Sequence, residues 1–181
     1  MRKVLIAAGL VLALAACQDS REAQENLTVA QGFMADNAKK TGVKSLPSGV
    51  QYEVVKSGPE TGLKPRKGDL VKVHYEGKLL SGEVFDSSYD RGAPAVMGLD
   101  GLIPAWIEAL QQMRAGDEWT LYVPPEQGYG ERAAGPIPPN SVMIFRIELI
   151  DVLPASYPLS SANPSFDTPA SQAAQDDEAQ S

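Results

Sequence analysis

Phe85 and Asp86 place a large apolar ring directly beside a carboxylate. They follow a segment in which Val71, Val73 and Tyr75 alternate with Lys72, His74 and Glu76. A two-residue period puts the apolar set on one face of a sheet. With Tyr75 on the inward face, an apolar pocket with one or two polar handles can form here, the usual character of a small-ligand site. Other chemistries find little support. His74 has no Cys or His neighbour for a metal site, and alternation turns it outward. There is no Gly-rich phosphate loop, and no serine has triad partners nearby. Taken singly, Tyr75, Trp106 and Phe145 would be core aromatics, and Asp86 with Arg91 a surface ion pair.

The elements that must position these residues are legible in outline. The strand from Val71 ends at Gly77, and Ser81-Gly82 signals a hairpin return. Val50, Tyr52 and Val54 alternate as an earlier strand. Glu118 to Val123 forms another, and Val142 to Ile150 a last one. One helix interrupts them: Pro104 suits its first turn, Trp106, Ile107, Leu110 and Met113 share a face, and Gly116 fits its stop. A single amphipathic helix among antiparallel strands predicts an α+β fold, an antiparallel sheet wrapped around one short helix.

Several separate motifs carry a family resemblance. VHYEG followed by VFDSSYDR, then LIPAWIEALQQM, then PPEQGYGERAAGPIPPNSVMIFRIELIDV, occur in the order found in the FKBP-type peptidyl-prolyl isomerases. The chain resembles that family over roughly residues 42–153. The resemblance implies a catalyst of X–Pro bond rotation. Rotation about a peptide bond faces a barrier of about 18–20 kcal/mol, because it breaks amide resonance. No nucleophile, metal or cofactor is required, only a site that binds the twisted amide better than the planar one. By resemblance, Tyr75, Phe85, Asp86, Arg91, Leu102, Ile103, Trp106, Tyr129, Ile137 and Phe145 match pocket positions, and Met97 stands where the family usually has phenylalanine. Trp106 would be the floor, and Phe85 and Phe145 the walls. Tyr129 and the Ile103 N–H would donate to substrate carbonyls. Asp86 would sit near the reacting amide, oriented by Tyr75 and Arg91. Ala105, Gly98 and Gln127 also depart from the common pattern, which bears on substrate preference and on affinity for macrolide inhibitors. The implied partners are proline-containing polypeptides. The rival expectation is a proline-segment binding module or chaperone with little catalysis.

The ends carry different signals. Met1-Arg2-Lys3 followed by the apolar run Val4 to Ala16 reads as a secretory signal of residues 1–16, too short for a span of about 20 residues. Cys17 is the only cysteine, so no internal disulfide can form. Leu14-Ala15-Ala16-Cys17 resembles the bacterial lipobox, which implies lipidation of Cys17 and a firm membrane anchor. Gln18 after it points to the outer membrane, with the domain facing the periplasm. Residues 17–26 are polar and read as a tether. Residues 27–41 read as a short helix, with Leu27, Ala30, Phe33, Met34 and Ala38 at helical spacing, Asn26 as N-cap and Gly42 as stop. This part resembles the end of the dimerisation region of exported, macrophage-infectivity-potentiator-type members. So short a helix predicts a monomer. Residues 154–181 are rich in Pro, Ser, Ala and Gln and read as a disordered tail. The net charge of −7 argues against a nucleic-acid binder.

Overall fold

The computed structural model describes the backbone of residues 5–155 and the side chains of residues 20–155. The side chain of Cys17 and residues 156–181 of the expected tail lie outside the described residues.

Helix α1 (Leu5–Asn37) leads into strands β1 (Lys44–Ser45), β2 (Gln51–Lys56), β3 (Leu70–Leu79), β4 (Val84–Ser87) and β5 (Ala95–Gly98). Helix α2 (Pro104–Leu110), β6 (Glu118–Val123) and β7 (Met143–Leu153) follow. The strands form one sheet in the order β1-β2-β6-β7-β3-β4, with β5 also pairing with β3. Every pairing is antiparallel. The expected α+β architecture is therefore present.

The alternation seen at Val71, Val73 and Tyr75 is the burial pattern of β3. These residues meet Trp119, Leu121, Val123, Phe145, Ile147 and Leu149 in a single apolar cluster. Helix α2 closes that cluster with Ala105, Trp106, Ala109 and Leu110, all buried. Ile107, expected on the same face, is only half-buried. The helix stops at Leu110, so Gly116 is not its cap. Gly116 instead takes a φ of 97° in the turn before β6, where its N–H reaches the Leu149 carbonyl. Only a residue without a Cβ adopts that backbone freely.

Two boundaries differ from the sequence reading in ways that matter for the site. Strand β3 does not end at Gly77 but runs on to Leu79, past a register shift between Gly77 and Lys78. Ser81-Gly82 makes the expected hairpin, with Gly82 donating to the Leu79 carbonyl at 3.0 Å. At the N-terminus, neither a tether at 17–26 nor a short helix at 27–41 is found: α1 is continuous for 33 residues and ends at Asn37. The polar segment Arg21-Glu22-Ala23-Gln24-Glu25 is made of strong helix formers, and its polarity marks a solvated helix rather than a tether. Asn26 is consequently no N-cap. Phe33 packs against Tyr122 with ring centroids 6.0 Å apart. The Asn37 amide donates to Gln51 Oε1 at 2.9 Å, and Gln51 Nε2 donates to the Met34 carbonyl at 2.8 Å. The end of α1 is thus joined to the outer side of β2 and β6.

Candidate active site

Trp106 lies in the first turn of α2, beneath a chain of edge-to-face rings. Tyr75 meets it at 5.2 Å between centroids and 86° between planes. Phe145 of β7 meets it at 5.3 Å and 87°, and Phe85 of β4 meets Phe145 at 5.6 Å and 85°. Edge-to-face contacts of this kind favour fixed ring positions. Trp106 and Phe145 are buried, whereas Phe85 is half-buried at the outer side of the cluster. Ile137 is buried in the same cluster, and Met97, Leu102 and Ile103 pack against it. Ile103 caps α2 by accepting from the Trp106 and Ile107 N–H groups at 3.0 and 3.2 Å. Its own N–H therefore stands outside the helix ladder.

The polar edge is built from three side chains. Tyr75 donates its hydroxyl to Asp86 Oδ2 at 2.5 Å. Arg91 donates to Asp86 Oδ1 at 2.5 Å and to the Tyr75 oxygen at 2.8 Å, with its guanidinium 5.4 Å from the Tyr75 ring centroid. Burial pushes the Asp86 carboxyl up, but the hydrogen bonds from Tyr75 and Arg91 together outweigh it and hold the group below its ordinary value. Burial, then the Asp86 contact, pushes the Tyr75 hydroxyl above its ordinary value. A carboxyl with a depressed folded value stabilises the fold above the ordinary carboxylate range. That contribution is lost as pH falls through the depressed value. Asp86 is thus a fixed anion at neutral pH.

Tyr129 stands apart. It lies on the long loop between β6 and β7, is 45% exposed, and makes no side-chain hydrogen bond to the ring cluster among the described residues. The loop folds back on itself through mutual backbone bonds between Ala134 and Ile137 at 2.9 and 3.1 Å, which sets Ile137 into the cluster.

A family model described as FKBP-type peptidyl-prolyl cis-trans isomerase matches residues 62–150, and a model for the domain amino-terminal to it matches residues 6–54. The crystal structure of FkpA from Escherichia coli is similar at a TM-score of 0.78 and 37% identity, over 85% of this chain and 71% of that one. A peptidyl-prolyl cis-trans isomerase from Pseudomonas syringae is similar at a TM-score of 0.67 and 38% identity, over 72% of this chain and 96% of that one. The chain belongs to the FKBP-type peptidyl-prolyl cis-trans isomerase family. FkpA of Aeromonas hydrophila is 47% identical over 132 residues, 73% of this chain and 48% of the relative. Outer membrane protein MIP of Legionella longbeachae is 42% identical over 147 residues, 81% of this chain and 62% of the relative. The chain thus spans about half to three-fifths of the length of these curated relatives.

In this FKBP-type domain, two residues that sequence reasoning missed hold the ring cluster in place. Ser88, fully buried, accepts from the Tyr75 N–H at 2.8 Å and lies 3.2 Å from the Tyr75 carbonyl. It also pairs with His74 Nδ1 at 2.9 Å, and so fixes the backbone behind Tyr75. His74 stacks on Tyr89 at 4.7 Å, on the opposite sheet face from Tyr75. Gly77 is the other. A Cβ there would lie 2.7 Å from Phe145 Cε1 and from Phe85 Cε2 and Cζ. Its lack of a side chain lets both rings close over the strand. The glycine was visible in VHYEG, but nothing local says that two distant rings converge on it.

Proposed function

We propose that this chain is a peptidyl-prolyl cis-trans isomerase acting on proline-containing polypeptides in the bacterial cell envelope, where it assists folding. One observation supports the reading: Tyr75, Phe85, Trp106 and Phe145 gather in edge-to-face contact beside an Asp86 carboxylate already hydrogen-bonded by Tyr75 and Arg91. A twisted amide has a less polarised carbonyl than a planar one, so a dry site favours it. Fixed donors to carbonyls outside the rotating bond hold the chain in register over the site. In this account the proline ring rests on Trp106 between Phe85 and Phe145. The Tyr129 hydroxyl and the Ile103 N–H donate to substrate carbonyls, while Asp86, held by Tyr75 and Arg91, faces the rotating amide. Met97, Leu102 and Ile137 complete the apolar lining. Lowering the barrier by about 7 kcal/mol gives roughly a 10⁵-fold acceleration. Macrolide inhibitors would fill the same site.

No proton moves in such a mechanism, and the charged groups at the site titrate far from neutrality. The acceleration of cis/trans exchange in a short X–Pro peptide should therefore be flat from about pH 6 to 8.5. A limb near the ordinary histidine range, removed by His74→Ala, would contradict the desolvation account.

The anchor belongs to the same proposal. Cys17 in its lipobox-like context supports lipidation, and Gln18 supports an outer-membrane location facing the periplasm. Cys17→Ser should move the protein from the membrane to the soluble fraction. Retention of the variant in the membrane with an unchanged anchor mass would contradict this. The longer α1 removes the argument for a monomer from helix length. A monomer is still the reading we favour, because α1 already spends its Phe33 and Asn37 contacts on its own domain.

A further inference from the structure

Helix α1 reaches the loop of Tyr129 through two asparagines. Asn140, at the end of that loop, donates its side-chain amide to the Ala23 carbonyl in α1 at 2.9 Å. Asn26, in α1, donates its own amide to the Pro139 carbonyl at 2.9 Å. The two bonds run in opposite directions between the same pair of segments. A helical carbonyl has a second lone pair, so Ala23 can accept without giving up its place in the helix. Asn140 is buried and has a φ of 54°, the one positive value of a non-glycine residue among the described residues. Asparagine tolerates that region better than most residues. Its backbone N–H donates to the Gly130 carbonyl at 2.8 Å. Gly130 follows Tyr129 directly, and its own N–H donates to the Pro125 carbonyl at 2.9 Å. Tyr129, exposed and without a side-chain bond to the ring cluster, is therefore placed by its backbone. One side of that backbone is held by a residue that α1 holds.

We propose that Asn26 and Asn140 are positioning residues that couple α1 to Tyr129, so that the N-terminal helix sets how the pocket loop presents the Tyr129 hydroxyl to substrate. This rests on the reading of Tyr129 as a donor to a substrate carbonyl. A bond to a carbonyl that does not react is made in the planar and twisted states alike. Weakening it raises KM and leaves kcat in place.

The test measures kcat and KM of the full chain on an X–Pro peptide for Asn140→Gly and Asn26→Ala, each alone and combined with Tyr129→Phe. Asn140→Gly keeps the positive φ and the N–H to Gly130 while deleting the amide. Asn26→Ala sits in mid-helix, where alanine is a strong helix former, and probes the same coupling from the other side. Each should raise KM about fivefold with kcat unchanged, as expected for one lost hydrogen bond, and neither should change KM further in the Tyr129→Phe protein. An equal loss in both backgrounds, or no loss in either, would overturn the coupling. A Tyr129→Phe protein with wild-type KM would overturn the donor role of Tyr129, and the coupling with it.

Discussion

Gly77→Ala is expected to lower kcat/KM by more than about tenfold while the protein still folds. Carbon atoms rest at about 3.5–4.0 Å from one another, and the added methyl would stand 2.7 Å from three ring atoms of Phe85 and Phe145. Gly77 pairs across β3 with Phe145 on one side and Asp86 on the other, so the strand has little freedom to move away. Phe145 is buried against Trp106 and has no room to retreat. Phe85, half-buried, must swing outward and open the wall. Overpacking of this kind costs about 1–3 kcal/mol of stability. A displacement of about 1 Å in a positioning group can cost about 10²-fold in rate. Unfolding midpoints and peptide exchange rates on the same variant separate the two effects. A variant with wild-type activity would mean that the two rings do not define the pocket.

Phe85→Ala approaches the same wall by deletion. It removes the outer ring, lets water reach the amide, and leaves Phe145 without its edge-to-face partner. The expected loss in kcat/KM is at least tenfold, on the order of 1.4 kcal/mol or more in transition-state stabilisation. Because Phe85 is half-buried, circular dichroism should show the fold retained. Wild-type rates in this folded variant would remove Phe85 from the site.

The parts of the protein that were legible in sequence are those written in local periodicity or in ordered motifs. Alternation at Val71, Val73 and Tyr75 gave β3 its buried face. Pro104 and Trp106 mark α2, and the family pattern groups Phe85, Asp86, Trp106 and Phe145. What was illegible depends on partners far along the chain. Asn26 was read as a helix cap, yet its amide bonds Pro139, 113 residues away. Gly77 was read as a strand end, because the convergence of Phe85 and Phe145 on it is a property of three strands at once. β5 is only four residues long, too short to declare a period. The segment before Asn26 reads as a tether by its polarity, yet its residue types are those of an exposed helix.

The central claim is that the site favours a twisted X–Pro amide, and magnetisation exchange between the cis and trans signals of a short X–Pro peptide measures this without a coupled enzyme. Unaided exchange takes tens to hundreds of seconds. Catalytic amounts of the folded protein should shorten it by orders of magnitude, and a macrolide inhibitor in excess should restore the slow rate. Exchange that stays at the uncatalysed rate, with the peptide bound and the protein folded, would contradict the account and leave a binding module in its place.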